Sequence, residues 1–415
     1  MELYELEKEL MRMNRKSYKL YKKLHDISVK YDYGIGVITK VQGDPHANPS
    51  IMEVKIPPKH HKIPRKLMSD PTCREPLSDY VSRLLYKLCR RSSRKCGSGN
   101  SCYIGIPKPG PWILLRSSVE VFNEDLIVRF FIGLPALGRK ILAMEAKKLL
   151  IDNVNKLIKE LVSSLRNELE KLEKHVNLYK DQEYLREWIS REGYIAFIPN
   201  DAILPRESSI SQRPLKNATR FKSPKSMEIR VKLPSGKIVS GMAIPKGVVV
   251  ITGGAYHGKT TLLNSIQDGI YNHVEGDGRE YLVSLKSTVT VKAEDGRIVN
   301  HVDISNFIKM LPGNIDTKDF TTLNASGSTS MAASISEALE LNVNTLLIDE
   351  DTSATNLLFK DDIMNKLIPE DPIKPLSNLV RRITVNTSIS IVIISSASST
   401  FLSLADKVIK ISNYL

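Results

Sequence analysis

Apolar positions along the 415-residue chain change their spacing several times, and each change marks a different kind of structure. In residues 1–30, leucines recur at three- or four-residue steps among charged residues, which predicts an amphipathic helix with a basic second half. Residues 31–138 alternate short apolar runs with Pro- and Gly-bearing turns, as expected of strands. A helical period returns over residues 139–179 and predicts a long amphipathic helix. Its apolar stripe either packs within its own domain or forms a protruding arm or dimer contact.

The second half of the chain has a different pattern. Residues 201–226 are rich in Pro, Ser and basic residues without any period, which indicates a linker or a loop with polar contacts. From residue 227 to residue 415, strand patterns alternate with helical ones, as in α/β domains. We therefore expect four regions: a basic amphipathic helix (1–30), a mixed α+β N-terminal domain that includes the long helix (31–200), a linker or loop (201–226) and an α/β domain (227–415).

Apolar runs in this sequence are short. None approaches the roughly 20 residues needed to span a bilayer, and the N-terminal residues lack the apolar block of a secretory signal. We expect a cytoplasmic protein with no membrane partner. The four cysteines are Cys73, Cys89, Cys96 and Cys102, and their spacings do not form CxxC pairs. Reduced structural thiols are favoured, with a zinc site as the alternative.

Positive charge is concentrated in one part of the chain. The net charge is +14, and between Lys55 and Lys108 there are thirteen Lys or Arg residues but three acidic ones. A concentrated basic surface attracts polyanions, and counterion release favours nucleic acid as the partner. A basic surface without a specific partner is the alternative. The candidate contact residues are Arg90, Arg91, Arg94 and Lys95.

A phosphate-binding motif follows the apolar strand predicted at residues 247–252. The pattern G-x-x-x-x-G-K-[ST] starts at Gly253 and leads into a helical run, which is the context that a P-loop requires. Glycines let the backbone turn its N–H groups toward phosphate oxygens, Lys259 would contact the β- and γ-phosphates, and the Thr260 hydroxyl would coordinate Mg²⁺. The candidate nucleotide-binding residues are Gly253, Gly254, Ala255, Tyr256, His257, Gly258, Lys259, Thr260 and Thr261. ATP and Mg²⁺ are the expected ligands.

Two acidic residues end a second apolar strand, predicted at residues 344–348. Asp349, at the strand end, is the candidate second Mg²⁺ ligand, and Glu350 is the candidate general base that polarises the attacking water. An acidic pair after a strand can instead be an ordinary helix N-cap.

A Ser- and Gly-rich segment lies between these two motifs. Ala325, Ser326, Gly327, Ser328 and Thr329 precede a helical run, and small residues at a helix N-terminus leave amides and hydroxyls free to bind an anion. The order of P-loop, Ser-Gly segment, acidic pair and small polar loop (352–356) resembles ABC-class ATPases. In that class the signature segment contacts the γ-phosphate bound by the opposite subunit.

More of the chain resembles one group within that class, the predicted ABC-class ATPases of bacteria and archaea. Its relatives include an RNA-editing-associated ATPase of trypanosome mitochondria. The resemblance rests on residues 42–45, 133–139, 202–206, 253–263, 276–280, 293–297, 325–330 and 349–356. It implies an α/β, ABC-type P-loop nucleotide-binding domain preceded by a mixed α+β N-terminal domain, and an ATP-dependent head-to-tail homodimer. For the trypanosome relative it implies RNA binding.

Some positions depart from the family pattern. Glu294 and Asp295 stand where a lid glutamine would be, although a solvated turn explains them equally well. A serine-rich run (395–399) replaces the switch histidine, which makes Ser396 a candidate switch residue. No aromatic residue is evident where ABC domains stack adenine. Family members commonly continue further, so we expect a C-terminal accessory domain to be absent from this sequence.

The leading hypothesis is an ABC-class ATPase that couples ATP binding and hydrolysis to nucleic-acid binding or remodelling, with RNA favoured. A P-loop phosphotransferase acting on a small metabolite is the alternative, although such an enzyme has no use for a signature segment. A transporter ATPase subunit and a nucleotide-gated binding module with negligible hydrolysis rank lower.

Overall fold

Two compact units make up the chain in a computed structural model that describes residues 1–396 and 398–414. The first unit is Met1–Lys180 and the second is Asp181–Leu415.

An antiparallel sheet forms the centre of the first unit. The strands of this unit are β1 (Val29–Tyr31), β2 (Gly34–Lys40), β3 (Ser50–Ile56), β4 (Ile104–Gly105), β5 (Trp112–Ile113), β6 (Val119–Phe122), β7 (Asp125–Ile132), β8 (Ala136–Leu137) and β9 (Lys140–Ile141). The sheet has the strand order β1-β2-β3-β7-β4, and β6 pairs with β7. In β7 every second residue is buried, as expected for a strand with one face toward the core.

Helices cover the buried face of this sheet. The helices are α1 (Leu3–Arg12), α2 (Pro58–His61), α3 (Arg65–Ser69), α4 (Arg74–Ser92), α5 (Ala143–Lys147) and α6 (Val154–Asn167), with 3₁₀ turns at Tyr18–Leu24 and Pro71–Cys73 and a π-helical turn at Lys148–Asn153. Apolar residues of α4 and α6 join the strands in one core. Helix α7 (Leu169–Arg191) begins in this unit and ends in the second.

The single helix predicted over residues 1–30 is wrong. Helix α1 has ten residues, and the chain then turns at Arg15, whose φ is 59°. The Arg15 N–H donates to the carbonyl of Ile141, and Ser17 bridges Lys140 in β9. Pairing with a distant strand therefore overrides the local helical pattern.

The long helix predicted over residues 139–179 is replaced by a hairpin strand and three helices. The first residues of that range form β9, and the helical stretch runs from Ala143 to Arg191 with interruptions. The apolar stripe of α6 packs in the core of its own unit, so the alternative of a protruding arm is not needed. Helix α4 has 19 residues in a region for which we predicted strands, although its apolar residues recur at helical spacing.

The expectation of reduced thiols is wrong for one pair of cysteines. Cys96 and Cys102 form a disulfide bond, with their Cα atoms 5.6 Å apart. Gly99, at a φ of 56°, helps the short loop between them to turn. Cys73 and Cys89 are free and buried.

The second unit contains two larger sheets. The strands of this unit are β10 (Tyr194–Pro199), β11 (Glu228–Lys232), β12 (Ile238–Pro245), β13 (Val248–Gly253), β14 (Asn272–His273), β15 (Val283–Ser284), β16 (Thr288–Val291), β17 (Arg297–Val302), β18 (Phe320–Ala325), β19 (Thr345–Asp349), β20 (Ser390–Ile394) and β21 (Lys407–Ile411). One sheet is antiparallel, in the order β11-β12-β10-β15, and the other has five strands in the order β16-β19-β20-β13-β21.

All four pairings in the five-stranded sheet are parallel. The central strands read as continuous apolar runs because both of their faces are buried. The remaining helices are α8 (Lys259–Asp268), α9 (Gly327–Glu340), α10 (Thr355–Leu358), α11 (Asp362–Leu367) and α12 (Val380–Thr387), with 3₁₀ turns at Pro312–Asn314, Glu350–Thr352, Leu376–Asn378 and Leu402–Leu404. This unit therefore has the α/β architecture expected from the sequence.

Candidate active site

The candidate site residues follow the ends of parallel strands. Gly253 ends β13, Asp349 ends β19, and Ser396 follows β20. In the ladder, Asp349 lies opposite Ile394, so β19 and β20 end level with one another. Because parallel strands end at the same edge of a sheet, motifs distant in sequence meet at this edge.

The loop after β13 turns sharply. The φ angles are positive at Gly253 (143°), Tyr256 (62°) and Gly258 (98°). A Cβ at Gly253 would lie 2.1 Å from the carbonyl oxygen of Ile411, so no larger residue fits there. Helix α8 begins at Lys259, and its first-turn N–H groups have no intrahelical acceptor. This backbone offers donors to an anion, as a P-loop requires.

Side chains of this loop differ in exposure. Lys259 is 7% exposed, and its Nζ donates to the carbonyl oxygens of Gly253 (3.1 Å) and Gly254 (2.8 Å). These bonds hold the ammonium group at the loop. Tyr256 is 93% exposed, whereas the ring of His257 lies against Gly254. Ala255 and Thr260 are exposed, and Thr261 is half-buried.

Two oxygen ligands suited to Mg²⁺ meet at the strand ends. The Thr260 hydroxyl donates to Oδ2 of Asp349 at 2.8 Å, although 89 residues separate them. Asp349 is 3% exposed. A hydroxyl and a carboxylate are the kinds of ligand that Mg²⁺ takes beside a nucleotide. These residues therefore fit a Mg²⁺–nucleotide.

Glu350 lies at the same edge. It starts the 3₁₀ turn Glu350–Thr352, and its Oε2 accepts the N–H of Ser396 at 2.6 Å. The candidate base and the candidate switch residue are thus in direct contact. The carboxylate is next in sequence to the candidate metal ligand, where it could accept a proton from water. Ala397, in the same serine-rich run, lies outside the described residues.

The Ser-Gly segment forms the N-terminus of α9. Ser326 is the N-cap, and its hydroxyl accepts the N–H of Thr329 at 3.4 Å. The Ser328 hydroxyl donates to Oδ1 of Asn356 at 2.8 Å, which joins the segment to the small polar loop after Glu350. A Cβ at Gly327 would lie 3.3 Å from Asp295 Oδ1, so the turn that carries Asp295 packs closely on the segment.

The candidate lid residues lie beside this segment. The N–H of Glu294 donates to the Ser330 hydroxyl at 2.9 Å, and that of Ala293 to the carbonyl of Thr352 at 3.0 Å. The Glu294 carbonyl accepts the N–H of Arg297 at 3.2 Å, and within residues 1–396 and 398–414 neither hydrogen bond of Glu294 reaches the P-loop. The structure therefore places these residues with the Ser-Gly segment and not with the phosphate-binding loop.

Comparisons with known families assign both units. A family model described as the N-terminal domain of ATPases of the ABC class matches residues 3–165. The P-loop domain model of the ABC ATPases matches residues 168–415, which is more than half of the chain. The chain belongs to the ABC-class ATPases. The resemblance to ABC-class ATPases is thereby confirmed, as is the mixed α/β fold with an N-terminal domain before a P-loop domain.

Individual relatives of this ABC-class ATPase match over part of its length. An uncharacterized protein of Methanocaldococcus jannaschii is 37% identical over 188 residues, which are 43% of this chain and 42% of that protein. The solved structure of cbiO1 from Clostridium perfringens, described as part of the ABC transporter complex cbiONQ, is 16% identical. That similarity covers 54% of this chain and 86% of the other, with a TM-score of 0.30. The family assignment rests on the two family models.

The residues predicted to contact nucleic acid lie in the first unit of this ABC-class ATPase. Arg90 and Arg91 are in the last turn of α4 and are exposed. Arg94 pairs with Glu145, whereas Lys95 is exposed. Among the described residues, no helix has both the length and the apolar character needed to cross a bilayer.

Sequence motifs missed part of the surroundings of the P-loop. Phe221, Lys222 and Tyr414 line a cavity that also borders Gly258 and Thr261. Residues 201–226 contribute to this cavity and are part of the second unit. The only sequence signal was that this aperiodic segment could be a loop with polar contacts, and nothing pointed to Tyr414.

Proposed function

We propose that this protein hydrolyses ATP with Mg²⁺ at the carboxyl edge of its parallel sheet. The observation that carries the proposal is the contact between Thr260 and Asp349, which joins the P-loop helix to the acidic strand end. Lys259, also buried at this edge, supplies positive charge for the β- and γ-phosphates.

Each residue has one role in the proposed reaction. Thr260 and Asp349 hold Mg²⁺, which supplies positive charge to the phosphates when bound. Glu350 accepts a proton from water as the water oxygen bonds to the γ-phosphorus and the bond to the ADP oxygen breaks. The N–H of Ser396 orients the Glu350 carboxylate.

The signature segment acts in a homodimer. Ser326 and Ser328 lie at the start of α9, where the first N–H groups of the helix have no intrahelical acceptor and can bind an anion. ATP held by one copy thus contacts Ser326–Gly327–Ser328 of a second copy. ATP should shift the protein from monomer to dimer in size-exclusion chromatography, and a Lys259→Ala variant should stay monomeric.

Replacing Glu350 by Gln tests the hydrolytic role. Because the amide cannot accept the proton, we expect release of inorganic phosphate to slow by roughly 10²–10⁴-fold. ATP binding should persist, since Lys259, Thr260 and Asp349 are unchanged. Phosphate release to water without any added metabolite also separates an ATPase from a phosphotransferase.

Asp351 provides a matched control for this experiment. It carries an exposed carboxylate next to Glu350. Asp351→Asn should leave turnover close to that of the unaltered protein. Normal turnover in Glu350→Gln would remove Glu350 from the mechanism, and equal losses in both variants would point to a general effect of lost charge.

RNA is the proposed partner of the first unit. Arg90, Arg91 and Lys95 are exposed in the chain segment that carries the excess of basic residues. Exposed cations bind phosphates with little dependence on sequence, and such binding weakens steeply as salt rises. ATP binding in the second unit would then change the affinity for RNA.

A salt titration of RNA binding tests this partner. Each of Arg90→Ala and Arg91→Ala should lower the slope of log affinity against log salt by about 1. The matched control is Arg12→Ala, because the Arg12 side chain is 76% exposed. This variant should leave the slope unchanged. Salt-independent binding would contradict the proposal, and tighter binding of DNA of equal length would reassign the partner.

A further inference from the structure

A cavity of about 460 Å³ opens beside the P-loop within the second unit. Its volume lies in the range of roughly 300–1,000 Å³ that is typical of small-molecule sites. Gly258, Thr261 and Leu262 form part of its wall, so the cavity is continuous with the loop proposed to bind phosphates. These residues surround the start of α8.

Tyr414 extends this wall from the chain segment after β21. A Cβ at Gly258 would lie 3.2 Å from Cδ1 of Tyr414, so the aromatic ring lies close to the P-loop backbone. The Tyr414 side chain is 59% exposed, which leaves part of the ring available to a ligand.

The rest of the wall comes from the segment 201–226, and hydrogen bonds fix it in place. The N–H of Phe221 donates to the carbonyl of Ala202 at 2.9 Å. Both the N–H and the hydroxyl of Ser223 donate to Oδ1 of Asn200 at 2.7 Å. A wall that is already ordered loses less conformational entropy when a ligand binds.

Two of the sequence blocks that carry the family resemblance meet behind this wall. Arg206, from block 202–206, forms a buried ion pair at 2.7 Å with Asp277, from block 276–280. Arg279 also donates to the carbonyl of Leu204. Neither block takes part in the proposed phosphate chemistry, but together they hold the Leu204 side of the cavity.

The residues that line the cavity suit a ligand that has a flat, apolar part and a separate anionic part. Met242, Leu262 and Ile409 supply apolar surface, and Lys222 and Lys410 supply positive charge. Among the described lining residues none is acidic. A nucleoside attached to phosphates has this combination of surfaces.

We propose that this cavity binds the nucleoside moiety of the nucleotide whose phosphates bind the P-loop, and that the base stacks on Tyr414. The proposal rests on the ATPase function proposed above. Tyr414 would then be the aromatic residue that recognises the base, at a position that the resemblance to ABC domains does not indicate. Tyr414 is accordingly a residue that determines nucleotide affinity.

Calorimetric titration with two Mg²⁺-bound ligands tests the proposal, because ATP has a nucleoside and inorganic tripolyphosphate does not. In the unaltered protein, ATP should bind more tightly than tripolyphosphate. Tyr414→Ala should weaken ATP binding about tenfold, the usual effect of removing one stacking aromatic. Ala218→Trp, which fills the cavity from its wall, should weaken ATP binding at least as much. Tripolyphosphate binding should be unchanged in both variants.

Tyr4→Ala is the matched control, because Tyr4 is also 59% exposed but lies in the first unit. It should not change the affinity for either ligand. The proposal is overturned if neither cavity variant weakens ATP binding. It is also overturned if the variants weaken the binding of ATP and of tripolyphosphate equally. If the unaltered protein binds neither ligand, the proposed ATPase function fails instead.

Discussion

Each unit of this protein buries an aspartate, but the two carboxylates have different surroundings. In the first unit, Asp79 is fully buried and lies 2.6 Å from Arg83, 2.9 Å from Arg116 and 3.3 Å from His175. In the second unit, Asp349 is almost as buried, and its side-chain partners in the described part of the chain are the Thr260 hydroxyl and the N–H of Asp351.

This difference separates a carboxylate with a structural role, Asp79, from one that is suited to bind a ligand, Asp349. Burying a charge costs free energy unless a partner compensates it. Asp79 has its compensating cations within the protein, whereas Asp349 has a hydroxyl and an amide. A cation from outside, such as Mg²⁺, would complete the surroundings of Asp349. Local charge balance therefore separates two residues that have the same burial.

The largest expected effect is on the stability of the first unit. Asp79→Ala leaves Arg83 and Arg116 without their buried carboxylate, which should lower the free energy of unfolding by about 3–5 kcal/mol. Urea unfolding followed by circular dichroism measures this change. Asp44→Ala is the control, because Asp44 pairs with Arg139 at the surface, and it should have little effect. A small loss in Asp79→Ala would show that the buried cluster is not structural.

A smaller effect is expected when Asp349 is replaced by Asn. Removing a carboxylate that holds a metal should raise the Mg²⁺ concentration needed for half-maximal phosphate release by roughly 10–100-fold. Stability should fall little or rise, because an uncompensated buried charge is removed. Asp351→Asn again serves as the control. An unchanged Mg²⁺ requirement together with lost stability would mean that Asp349 is structural, as Asp79 is.

The smallest effect concerns pH. Burial raises the pKa of Asp79, but the nearby His175 ring, the hydrogen bonds from Arg83 and the charges of Arg83 and Arg116 outweigh burial and hold that pKa below its usual value. The unfolded chain takes up this proton near the ordinary aspartate pKa of about 3.9. The stabilisation that the charged Asp79 carboxylate provides is therefore complete above that pH. It is lost as pH falls through the lower pKa that Asp79 has in the folded protein. The stability difference between the unaltered protein and Asp79→Asn should shrink as pH falls below about 4, and a constant difference would contradict the charge interaction.

The sequence carries its clearest signal where a polar motif follows the end of an apolar strand. The P-loop and the Asp349–Glu350 pair each follow an apolar run, and the parallel sheet brings both to one edge. Their meeting could be anticipated because it depends on strand direction. Contacts such as that between Glu350 and Ser396 depend on loop geometry, for which the sequence carried no comparable signal.

Local periodicity predicts the wrong element where a distant segment pairs with the same backbone. The helix predicted over residues 1–30 ends early because residues 15–17 pair with β9, more than 120 residues later. The cavity beside the P-loop was missed for a similar reason, since its walls come from segment 201–226 and from Tyr414. A single-segment pattern contains no information on such long-range partners.

The positions of the cysteines have a practical consequence. All four lie in the first unit, and burial raises the pKa of the Cys89 thiol to about 12. Burial also raises the pKa of Cys73, just before α4, so neither free thiol reacts readily in the native state. Alkylation by a small reagent must then wait for α4 to detach from the core. The labelling rate therefore reports how often the first unit opens around these two cysteines.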